Sequence, residues 1–196
     1  MQSEAALTTV IALATLVGLP GVGLLEDPMQ GMIPIVLVAL LGRLTVLPLL
    51  ASYTDQNNSH VWPSTVVQTS IGVLQNTLMF YILGVGFGAP LLIWIDKTLL
   101  ASIYAAAMID PSSAYTVFKL FSRKSQNVSL SSQDQHVFWR LVATMMGAWI
   151  GAFITPLDWQ KDYQKYPLPI LGGLLGGQLL FFSSITMKYV LSRFIG

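Results

Sequence analysis

Residues 167–189 read PLPILGGLLGGQLLFFSSITMKY, and no charge interrupts them before Lys188. About 20 consecutive apolar residues, wound as a helix, cross the hydrocarbon core of a bilayer. Within the run, Gly172 and Gly176 stand four apart, as do Gly173 and Gly177. Small residues at that spacing let helices approach closely. The apolar run before it, residues 137–156, repeats the pattern with Gly147 and Gly151 and with Ala148 and Ala152. Only the short charged stretch 158–166 joins the two runs. The reading is an all-α polytopic membrane protein whose last two helices form a tightly packed antiparallel pair.

Four more apolar runs precede these, at residues 5–25, 32–51, 64–83 and 90–108. The expectation is therefore about six transmembrane helices in a single integral membrane domain over residues 1–196. Composition agrees. The 196 residues are 54% hydrophobic and only 10% charged, against about a quarter charged in soluble domains. Mean hydropathy is +0.64. A formal net charge of +1 offers no basic field for nucleic acid, and with no cysteine there is no disulfide framework or thiol chemistry. The tail before the first run has no positive charge, unlike the n-region of a secretory signal, so residues 5–25 read as a retained helix.

The longest polar segment is residues 110–135. Inside it, Tyr115, Phe118 and Phe121 recur at helical spacing beside Lys119, Arg123 and Lys124. A short helix at the membrane surface fits that pattern; a partly ordered connector fits it too. Six spans put this loop and both termini on one side, with Lys119, Arg123, Lys124, Arg140, Lys188 and Arg193, against Lys161 and Lys165 on the other. Basic residues favour the cytosol, so both termini are expected there. The glycosylation triplets at Asn57 and Asn127 would then stay unmodified.

Catalytic patterns are sparse. His60 and His136 both lie in polar stretches, no paired-histidine motif supports a zinc site, and no Gly-x-Ser-x-Gly elbow occurs. Gly84, Gly86 and Gly88 suit a tight hairpin better than a phosphate loop, because no lysine follows them. Asp158 and Asp162 read as solvated loop charges or as a weak acid–base pair. No catalytic residue, metal ligand or cofactor is assigned. Charges inside spans carry more information, since they are costly at membrane depth. These are Arg43, Asp96 and Lys97, and a pairing of Arg43 with Asp96 is one expectation. On the third span, Gln68, Gly72, Gln75 and Asn76 share roughly one face, read as a packing seam or as a substrate path.

Residues 147–177 contain Trp149, then Pro156-Leu157-Asp158-Trp159, then Gln164, Pro167 and the glycine-rich last span. This block resembles the C-terminal signature of the phosphatidylinositol-glycan class F (PIG-F) family. Phe87-Gly88-Ala89-Pro90-Leu91, followed by Asp96 and Thr98, is similar to a second family segment, and Tyr115, Val117 and Phe118 to a third. The resemblance covers roughly residue 87 to the end. Tyr163 and Tyr166 stand where the family commonly has tryptophan, and Gln160-Lys161 replaces a more acidic pair.

The resemblance implies a non-catalytic, stabilising subunit of a GPI ethanolamine phosphate transferase in the endoplasmic reticulum membrane. The partner would be the large catalytic subunit, which transfers ethanolamine phosphate from phosphatidylethanolamine to a mannose of the GPI precursor. Candidate partner- or lipid-contacting residues are then Gly88, Pro90, Asp96, Trp149, Pro156, Asp158, Trp159, Gln164 and Pro167, together with Arg43. Membrane lipids, and the GPI precursor itself, are further contacts it allows. Two other readings stay open: a stand-alone intramembrane lipid transferase, and a lipid transporter or scramblase.

Overall fold

The computed structural model describes residues 27–46, 48–49, 61–89, 95–122, 131–153 and 166–195. Every regular element among them is a helix. The expected span at residues 5–25 lies outside the described residues.

Helix α1 is Pro28–Leu41. It starts where proline is tolerated best, since a first-turn N–H has no helical partner. It runs into a π-helical turn, Gly42–Val46, which carries Arg43. Helix α2, Val61–Gly86, has 26 residues, about 39 Å at 1.5 Å per residue. Its end is a Schellman turn. The Ala89 amide donates to the Gly84 carbonyl at 2.9 Å and the Gly88 amide to the Val85 carbonyl at 3.0 Å. Gly88 sits at φ 97°, a left-handed conformation that glycine adopts without a Cβ penalty.

Helix α3, Ile95–Met108, lies at the centre. Tyr104, Ala105, Ala106, Ala107 and Met108 are all buried, and the alanines let α1 and α2 pack close on either side. Helix α4, Ser113–Ser122, forms within the polar segment. Helix α5, Ser132–Ala152, is capped by the Ser131 hydroxyl, which accepts from the Asp134 amide. Helix α6, Leu168–Ile195, follows a cis Tyr166–Pro167 bond.

The α5–α6 hairpin is the tightest pairing among these elements. A Cβ on Gly147 would collide with the carbonyl of Gly173, one on Gly151 with that of Pro169, one on Gly173 with that of Gly147, and one on Gly177 with that of Ala143. The two backbones touch, which is what small residues four apart permit. Gly172 and Gly176 differ from the expected packing role: a Cβ on either meets nothing within 4 Å. They lie one position off the seam, about 100° around the helix at 3.6 residues per turn.

Beside the apolar core, several of the most buried side chains are polar, and many large apolar ones are exposed. Arg43, Asn76, Thr144 and Gln178 are at most 1% exposed, whereas Leu74, Leu78, Ile82 and Leu180 are 60–73% exposed. Two described stretches, Ser64–Gly86 and Leu168–Met187, are long and apolar enough to cross a membrane. The polar face expected on α2 divides. Gly72 and Asn76 are buried, with Gly72 so close to Pro111 that a Cβ would stand 2.5 Å from its carbonyl oxygen. Gln68 and Gln75 are exposed.

Candidate functional site

The last carbonyls of a helix have no partner within it. At the end of α3 three other elements supply them. Arg140 Nη2 of α5 donates to the Met108 carbonyl at 2.5 Å. Arg43 Nη2 of the π turn donates to the Ile109 carbonyl at 2.7 Å. Asn76 Nδ2 of α2 donates to the Asp110 carbonyl at 2.8 Å. Guanidinium groups there also complement the negative end of the helix dipole. Asn76 Oδ1 accepts from the Ala114 amide at 2.8 Å, so the same side chain starts α4. The Asp110 carboxylate accepts from the Ser112 amide at 2.8 Å and hydroxyl at 2.5 Å, closing the corner.

Arg140 extends this corner into the hairpin. Its Nε donates to Gln178 Oε1 at 3.1 Å, Gln178 Nε2 to Thr144 Oγ1 at 2.6 Å, and the Thr144 hydroxyl to the Arg140 carbonyl at 2.8 Å. Its guanidinium carbon lies 5.1 Å from the centroid of the Phe182 ring, within cation–π range. Arg140, Thr144 and Gln178 are absent from the sequence-derived candidates. One signal for them was present: an arginine inside the expected span 137–156, with a hydroxyl one helical turn on.

The opposite end of α3 brings two motif segments together. Thr98 Oγ1 and the Tyr166 hydroxyl lie 2.8 Å apart, joining the segment of Asp96 to the entry of the last helix. Burial pushes the Tyr166 hydroxyl above its ordinary range, with the Thr98 hydrogen bond opposing. Pro167 is buried beside it. Asp96 is exposed in the first turn of α3, where a carboxylate suits the positive end of the dipole. Trp149 is half-exposed and meets Phe153 edge-on, ring centroids 4.6 Å apart. Pro90, Pro156, Asp158, Trp159 and Gln164 lie outside the described residues.

The expected Arg43–Asp96 pairing is corrected. Arg43 reaches Ile109 at the far end of α3, and Asp96 stands about 20 Å away along that helix. Gly88 has a structural explanation in the turn that ends α2. Among the described residues, no three histidine, aspartate or glutamate side chains gather in a way that could hold a metal ion.

The described residues thus define an all-helical fold with two helices of membrane-crossing length, whose buried polar side chains cap helix ends and tie one helix to the next. The chain belongs to the GPI biosynthesis protein family Pig-F, whose family model matches residues 7–184. Among its relatives is glycosylphosphatidylinositol anchor biosynthesis protein 11 of Neurospora crassa, 32% identical over 111 residues, 53% of this chain and 38% of that one. The protein of the same name from Saccharomyces cerevisiae is 32% identical over 93 residues, 46% of this chain and 36% of that one. A PIGF/3-ketodihydrosphingosine reductase fusion protein of Schizosaccharomyces pombe is 28% identical over 139 residues, 67% of this chain and 27% of that one. The chain thus spans less than half the length of each of these three relatives. No solved structure matches it.

Proposed function

We propose that this chain is a non-catalytic subunit of a GPI ethanolamine phosphate transferase, embedded in the endoplasmic reticulum membrane by about six helices with both termini in the cytosol. Its partner is the large catalytic subunit, which moves ethanolamine phosphate from phosphatidylethanolamine to a mannose of the GPI precursor. The observation that carries this reading is the family match over residues 7–184. The site supports it: Arg140, Gln178, Thr144 and Asn76 are engaged with one another and with helix ends, as suits a scaffold. Apolar side chains facing outward suit lipid or the helices of a partner.

On this reading the Thr98–Tyr166 contact stands at the lumenal end of the helices, on the side of the partner's chemistry. The test is transfer in vitro with phosphatidylethanolamine as donor and a mannose-bearing GPI precursor as acceptor. The purified chain alone gives no product, and the chain with its large partner does. Transfer by this chain alone would overturn the assignment and return Asp96, Asp158 and Asp162 to consideration as acid–base groups.

A further inference from the structure

Pro111 interrupts the chain between α3 and α4. Its ring removes a helical hydrogen bond and disfavours the helical region for the residue before it, Asp110. Two helices of membrane-crossing length show how deep that break lies. Asn76 of α2 bonds the Asp110 carbonyl and the Ala114 amide. It stands about 18 Å from Ser64 and about 15 Å from Gly86, at 1.5 Å per residue. Gln178 of α6 bonds Arg140. It stands about 15 Å from Leu168 and about 14 Å from Met187 by the same measure. Both stretches, Ser64–Gly86 and Leu168–Met187, therefore meet the break near their midpoints.

Helix α5 is a ruler for the direction α4 takes. Near one end of α5, Gly151 abuts Pro169, just past Tyr166, which bonds Thr98 in the first turn of α3. Further along, Arg140 holds the Met108 carbonyl at the last turn of α3. At the other end, Asp134 pairs with Lys119 of α4 at 2.6 Å. From Arg140 to Asp134 is about 9 Å of α5, and from Ser113 to Lys119 about 9 Å of α4. Helix α4 thus continues in the direction of α3 and does not turn back. The two together rise about 36 Å, enough for a hydrocarbon core of about 30 Å.

Irregular backbone at membrane depth persists only where protein satisfies its polar groups. The break meets that requirement. Arg140, Arg43 and Asn76 donate to the carbonyls of Met108, Ile109 and Asp110. Asn76 and the Asp110 carboxylate accept from the amides of Ala114 and Ser112. Ser113 and Thr116, each 1% exposed, turn the polar side of α4 toward protein, as groups at membrane depth do. We infer that α3 and α4 are the two halves of one interrupted membrane span, broken at mid-depth by Asp110 and Pro111, and that Arg43 and Arg140 hold the break closed. Residues 110–122 then belong to the bilayer rather than to a surface loop, and residues 123–131 alone connect the span to α5. The inference rests on the membrane-spanning reading above, and its test separates the two.

The chain has no cysteine, so single cysteines report without background. Four exposed positions serve: Phe87 in the turn after α2, Leu78 within α2, Ser112 at the break and Ser122 at the end of α4. The reagent is a membrane-impermeant maleimide. The purified full chain in phosphatidylcholine nanodiscs, open on both faces, reports protection; sealed microsomes report sidedness. In nanodiscs, Phe87→Cys and Ser122→Cys should react, and Ser112→Cys and Leu78→Cys should react several-fold more slowly. Tyr115→Cys gives the same reading should Ser112→Cys fail to fold. In microsomes, Phe87→Cys and Ser122→Cys should react from opposite sides. Fast reaction at Ser112→Cys with Leu78→Cys protected overturns the interrupted span alone, because α4 then lies in water. An unreactive Ser122→Cys, or one that reacts from the side of Phe87→Cys, overturns it too, because α4 then ends inside the bilayer or turns back. Fast reaction at Leu78→Cys overturns the spanning reading, and the interrupted span with it.

Discussion

Arg140 joins three helices through one side chain: it belongs to α5, bonds Gln178 of α6 and closes the end of α3. Truncating it leaves the buried Met108 carbonyl and the Gln178 amide short of a donor. Each buried polar group left unsatisfied costs about 1–3 kcal/mol. Arg140→Ala should therefore lower the thermal midpoint of the detergent-purified chain by several degrees. Arg140→Lys should recover part of that loss, because a lysine keeps the charge but lacks the fork that reaches two acceptors. An unchanged midpoint in the alanine variant would mean that the corner bears no load. Reading the sequence, Arg140 registers only as a charge that sets orientation. Its acceptors are the last carbonyls of a helix that is distant in the chain, and side-chain spacing carries no record of them. The pairing of Arg43 with Asp96 fails for the same reason. Its depth in a span correctly marks it as needing a partner, but a carbonyl answers as well as the carboxylate of Asp96.

The α5–α6 hairpin is the element most legible in advance, since glycines four apart state a close approach directly. Their spacing does not say which of two adjacent registers faces the partner helix. The structure selects Gly173 and Gly177. Gly173→Ala forces a methyl into the Gly147 carbonyl and should destabilise the folded chain by about 1–3 kcal/mol, the usual range for overpacking. Gly172→Ala meets open space and should stay within about 0.5 kcal/mol of the parent. Thermal unfolding of both variants in one detergent checks the contrast, and equal losses would contradict the register. Helix α2 shows the complementary limit. Gln68 and Gln75 look like companions of Gly72 and Asn76 on a helical wheel, yet only the latter pair meets the α3–α4 corner. That corner covers a short length of α2, so the rest of the polar face is left outside.

The described helices form two tightly packed groups, α1–α2–α3 and α5–α6. They are joined by α4, by Arg140 and by the Thr98–Tyr166 contact. Apolar run lengths anticipate the helices themselves, because crossing a bilayer demands them. The joints were not legible, since each depends on one polar side chain meeting a distant backbone or hydroxyl. A fold held together this way leaves many large apolar side chains facing outward, as the proposed subunit, seated among lipids and the helices of a larger partner, requires.

The central claim is that partnership, and affinity purification of the tagged full chain in mild detergent tests it most directly. The account predicts recovery of a large ethanolamine phosphate transferase at near-equal stoichiometry. Recovery of this chain alone, folded and monodisperse, would contradict it.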